Sequence, residues 1–131
     1  MKRSTMQNPV MGTLVGDDYY HTVLEIEGKG DLYCITTTMP QGNRNGQAQI
    51  TIDGVLFYNI TIDNTHGKYA FITELIEPNT FGAVETLETN PAGVSGTNPF
   101  INIPFSTSLK IEFLAHETDS IDYSIVYGIE T

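Results

Sequence analysis

The sequence predicts an all-β chain, an antiparallel two-sheet β-sandwich of jelly-roll type with about eight strands. Three observations carry this. Apolar and polar residues alternate with period two through the final third, Ser108–Glu130. Runs rich in β-branched and aromatic residues recur between Gly, Pro, Asn and Asp clusters. No stretch reads as a convincing helix.

The elements follow in chain order. Residues 1–20 read as an irregular N-terminal arm, with Asn8-Pro9, Gly12 and Gly16-Asp17-Asp18 breaking any pattern. A β-sandwich domain is expected over 21–131. His21–Glu27 is its first strand, with Thr22, Leu24 and Ile26 facing in and Glu25 and Glu27 facing out. Gly28-Lys29-Gly30 turns it into Asp31–Thr38, which is expected to pair with it. Met39–Gly46 is a loop. Gln47–Ile52 and Val55–Ile62 flank Asp53-Gly54, a dipeptide that favours a two-residue type I′ turn because both central positions take positive φ. Asp63–Lys68 is a further turn, and Tyr69–Ile76 is a strand apolar on both faces.

Glu77–Asn98 is a long loop containing Pro78 and Pro91, with a short strand expected near Gly82–Leu87. Pro99–Phe105 is a proline-bounded edge strand. The terminal segments are expected to form a hairpin. Leu109, Ile111, Phe113 and Ala115 make one apolar row, and Ile121, Tyr123, Ile125, Tyr127 and Ile129 make the other.

The chain has 131 residues, 40% of them hydrophobic, enough for one domain with its own core. Cys34 is the single cysteine, so no intrachain disulfide forms, and its apolar strand makes it a small packing residue. The net charge of −10 repels phosphates and anionic lipids, which argues against nucleic-acid or membrane binding. Met1–Leu14 lacks the apolar core of a signal peptide, and Asn59-Ile60-Thr61 is read as an accidental glycosylation pattern. Charge is uneven: Lys2 and Arg3 precede every acid in the chain. An arm of opposite sign can dock on an acidic neighbour, so Lys2, Arg3 and the pair Tyr19-Tyr20 are candidate partner-binding residues. In the long loop the apolar residues Phe81, Val84, Leu87 and Val94 are the candidates for a contact surface.

Catalytic chemistry finds little to stand on. His21, His66 and His116 are isolated, and zinc needs three or four converging ligands. Asp63 is the one carboxylate in the turn holding His66, too few for calcium. Gly28-Lys29-Gly30 leads into a strand, whereas a phosphate loop leads into a helix. Gly93-Val94-Ser95-Gly96 lacks the spacing of a nucleophile elbow. Acid pairs such as Glu25 and Glu27 are expected by chance in so acidic a chain. The expectation is a non-enzymatic protein with no cofactor, no metal and no catalytic residues. The alternative is a carbohydrate-binding module using exposed tyrosines. Glycan binding of that kind has no support from tryptophan, which is absent.

The order of three motifs resembles that of small bacteriophage virion proteins. Val23-Leu24-Glu25-Ile26-Glu27-Gly28-Lys29-Gly30-Asp31-Leu32-Tyr33 is an early strand, a glycine turn and an apolar strand. Ile50-Thr51-Ile52-Asp53-Gly54 opens a central hairpin. Phe105-Ser106-Thr107-Ser108-Leu109-Lys110-Ile111-Glu112 precedes a closing strand with tyrosines. The resemblance runs through residues 22–127 and leaves out the arm and the long loop. The family comprises head decoration, head-fibre and tail-associated jelly-roll proteins. It implies a structural role in the virion, assembly in the host cytoplasm, a homotrimer, and a major capsid or tail protein as partner.

Overall fold

The computed structural model describes residues 4–41, 44–62, 69–72, 84–87 and 103–130. Among the described residues there are eleven strands and no helix. They are β1 (Ser4–Met6), β2 (Val10–Val15), β3 (Tyr20–Glu27), β4 (Gly30–Gln41), β5 (Gly46–Ile52) and β6 (Val55–Ile62). These are followed by β7 (Tyr69–Ile72), β8 (Val84–Leu87), β9 (Ile103–Phe105), β10 (Ser108–Leu114) and β11 (Ser120–Glu130).

The fold is an antiparallel two-sheet sandwich. Sheet A runs β1-β11-β4-β7-β8, with β2 also along β11 and β9 also along β4. Sheet B runs β3-β10-β5-β6. The pairings nest: β2 with β11, β3 with β10, β4 with β7, and β5 with β6.

Alternation builds the core. Leu109, Ile111 and Phe113 of β10 face Leu32, Ile35, Ile121 and Ile125 of sheet A, all buried. The Phe113 ring meets the Tyr123 ring edge-on, centroids 5.3 Å apart, and so ties the two sheets together. Such a pair adds about 0.5–1.5 kcal/mol beyond its buried area.

Asp53-Gly54 forms the predicted turn. Ile52 pairs with Val55, and φ is 52° at Asp53 and 82° at Gly54. Asp53 has a second role. Its Oδ1 accepts the backbone N–H of Ser106 (2.8 Å), Thr107 (2.7 Å) and Ser108 (3.1 Å), fastening this turn to the β9–β10 corner.

Five expectations need correction. Residues 39–41 extend β4 instead of joining the expected loop. Residues 1–20 are not irregular throughout: β1 and β2 lie end to end along β11. β3 and β4 do not pair. Gly28 N–H donates to the Thr107 carbonyl and Glu130 N–H to the Lys29 carbonyl, so this short link crosses between sheets. β10 and β11 are not a hairpin either; they lie in opposite sheets, joined across the end of the sandwich by residues 115–119. The reason is common to both. Two alternating strands bury their apolar rows equally well side by side or face to face. Finally, Thr22 sits opposite exposed-side Glu112, not inward, because Val23 is an extra residue in β3 at a bulge. The expected strand Tyr69–Ile76 is seen as β7, its remainder lying outside the described residues.

Candidate functional site

The N-terminal strands hold the most unusual surface. In β2, Val10 and Leu14 pack against the core, so Met11, Thr13 and Val15 point outward by alternation. Their partners on β11 are Ser124, Asp122 and Ser120. Met6 of β1 sits opposite Gly128 and falls on the same outer face. Met11 and Val15 are each 73% exposed, Met6 58% and Tyr19 72%. Val55, the other exposed large hydrophobic among the residues whose side chains are described, is much less so at 38%. Residues 4–16 carry no ionisable side chain.

This row borders a shallow groove of about 180 Å³ lined by Met11, Thr36, Thr38, Asp122 and Ser124. Its exposed lining is mostly apolar, with Met11 and Tyr123 beside the threonines, Ser124 and the Asp122 carboxylate. Thr13 donates its hydroxyl to Asp122 Oδ1 at 2.6 Å. The outer face of sheet B differs. There Glu25, Glu27 and Lys110 surround a depression of about 220 Å³, and Lys110 Nζ lies 3.6 Å from Glu112.

The row ends at a corner clasped by backbone bonds. Gly16 N–H donates to the Asp119 carbonyl (2.9 Å), and Asp17 and Asp18 N–H to the Ala115 carbonyl (3.2 and 3.0 Å). Two histidine–aspartate pairs close it: His21 Nε2 lies 2.7 Å from Asp17, and His116 Nδ1 lies 2.9 Å from Asp18. The Glu117 N–H and the His116 ring hold the Asp18 carboxyl below its usual range. Arg44 joins through its guanidinium to the Glu117 carbonyl at 2.7 Å and through its N–H to buried Asp119 at 3.2 Å. The corner therefore uses its charges to hold three chain segments together. Among the described residues no group of three or more His, Cys, Asp or Glu is arranged to hold a metal ion.

The sequence candidates fall apart in space. Tyr19 is exposed at the corner, beside the row. Tyr20 begins β3, half-buried, its phenol pushed up by burial and by Glu112. Val84 and Leu87 stand in β8, opposite Ile72 and Tyr69, at the other end of sheet A from β1. Lys2, Arg3, Phe81 and Val94 lie outside the described residues, as does His66. Met6, Met11 and Val15 were not among the candidates. Their signal was present as the alternation of Val10, Gly12 and Leu14 with Met11, Thr13 and Val15, but Pro9 and Gly12 read as breakers.

Compared with known proteins, the sequence matches no protein-family model and no curated protein.

Proposed function

We propose that this chain is a non-enzymatic structural component of a bacteriophage virion. In this reading it is a capsid decoration or tail-associated protein, acting as a homotrimer bound to a major capsid or tail protein. The observation that carries the reading is the exposed apolar row of Met6, Met11 and Val15, with exposed Tyr19 beside it, on an otherwise strongly acidic molecule. Apolar side chains left so exposed on a rigid sheet favour contact with another protein. The nested strand pairing supports the jelly-roll reading, since a long hairpin rolled on itself pairs its strands in that order. That architecture serves viral capsid proteins among others, and the functional assignment leans on the surface more than on the fold.

Light scattering on the purified chain during size exclusion tests the assembly, with a three-chain mass expected. Immunogold labelling of phage particles tests the location. A one-chain mass at every concentration, together with unlabelled particles, would remove the reading.

A further inference from the structure

We infer that copies of this chain meet through the outer face of sheet A along β1 and β2, with Met11 and Val15 of each copy gathered about a three-fold axis. The inference rests on the reading of the chain as a self-associating structural protein, and it names the surface and the partner.

The partner is a second copy because of charge. A molecule of net charge −10 repels its own kind. The outer face of sheet B carries Glu25, Glu27, Lys110 and Glu112, and two such faces repel when apposed. Over the length of β2, the outward side chains on β2, β11 and β4 include one carboxylate, Asp122, and it already accepts the Thr13 hydroxyl. A cationic partner would gain nothing from this face and would bind the acidic one. This weakly charged face is therefore where a second copy of so acidic a molecule meets least repulsion.

Side chains, and not a shared hydrogen-bond ladder, make the contact. An exposed sheet edge invites strand addition, which natural edges block with charges, prolines or short strands. The neighbouring edge of sheet B, β3, has Glu25 and Glu27 exposed. The β1–β2 edge has no charge but is cut into short strands of three and six residues, with Pro9 between them. Proline has no N–H to donate. A continuous ladder across this edge is interrupted, while the outward methionines and valine stay free to pack. The shallow, mostly apolar groove beside Met11 is covered in the same contact.

A cysteine scan tests this. The native thiol is a silent background, since Cys34 is buried and burial pushes it up to about 11. Met11→Cys treated with a trifunctional maleimide should yield a covalent trimer, and Glu25→Cys on the opposite sheet should yield none. Met11→Lys with Val15→Lys should convert the three-chain mass to one chain. Both sites are 73% exposed, so the fold should persist, with an unchanged circular dichroism melt as the check. A wild-type trimer that survives both lysines overturns this surface and leaves self-association standing. A cross-linked product that stops at two chains overturns the three-fold arrangement. A wild type that is one chain at all concentrations overturns the underlying reading as well.

Discussion

Asp53 closes one turn and grips another. Its positive φ suits the β5–β6 turn, while Oδ1 draws in three backbone N–H groups of the β9–β10 corner. Partial burial raises its carboxyl, but those donors outweigh the effect and hold it below the usual range. The contribution to stability follows in sign. It is fully present above the unfolded value of about 3.9 and is lost as pH falls through the lower folded value. Asparagine tolerates the same backbone conformation, so Asp53→Asn removes mainly the charge. It should cost about 1–2 kcal/mol at pH 7 in urea unfolding, and the gap to wild type should shrink as pH falls below 4. A deficit that stays constant down to pH 2 would show that the charge is not responsible. Thr37 is the opposite case. It is buried, and its hydroxyl has no hydrogen-bond partner among the described residues. Thr37→Val keeps the shape and removes the orphaned oxygen, so it should leave stability unchanged or raise it by about 1 kcal/mol in the same assay.

Strands change sheets where backbone approaches backbone. At Gly16 an added Cβ would lie 2.0 Å from the His116 carbonyl oxygen, so the crossing from β2 to β3 tolerates no side chain. Gly16→Ala should destabilise the fold by about 1–3 kcal/mol, read from the urea midpoint with an unchanged slope. A midpoint equal to wild type would mean that the corner yields freely. These crossings also explain what was legible beforehand. The inward row of β10 (Leu109, Ile111, Phe113) could be read from alternation, because period two dictates the face directly. The Asp53-Gly54 turn could be read because its chemistry is local. The partner of each strand could not. Alternation is blind to whether Phe113 meets Tyr123 beside it or across the core, and the Gly28-Lys29 link looks like a hairpin turn until its hydrogen bonds are seen. The outward row of β2 was hidden for another reason. Pro9 and Gly12 are breakers in isolation, yet Pro9 sits between strands, and Gly12 lies opposite Tyr123, where a Cβ would come 2.7 Å from the phenol oxygen.

At the scale of the whole molecule, two electrostatic pictures of assembly make opposite predictions. If copies meet on the outer face along β2, which holds the single carboxylate Asp122, most of the charges that matter are distant and alike, and each copy brings −10 to the encounter. Salt then screens repulsion and has few interfacial ion pairs to weaken. If instead the basic arm, Lys2 and Arg3, docks on acidic residues of a neighbour, the contact is made of opposite charges and salt dissolves it. Sedimentation equilibrium separates the two. Moving from about 0.01 M to about 1 M NaCl shortens the screening length from about 30 Å to about 3 Å. Association through the β2 face should strengthen over this range, the half-assembled concentration falling severalfold. Lys2→Ala with Arg3→Ala should leave that trend in place, because the double variant only adds to the net negative charge. Association that weakens with salt, and is lost in the arm variant, would move the contact from the Met11–Val15 row to the basic arm.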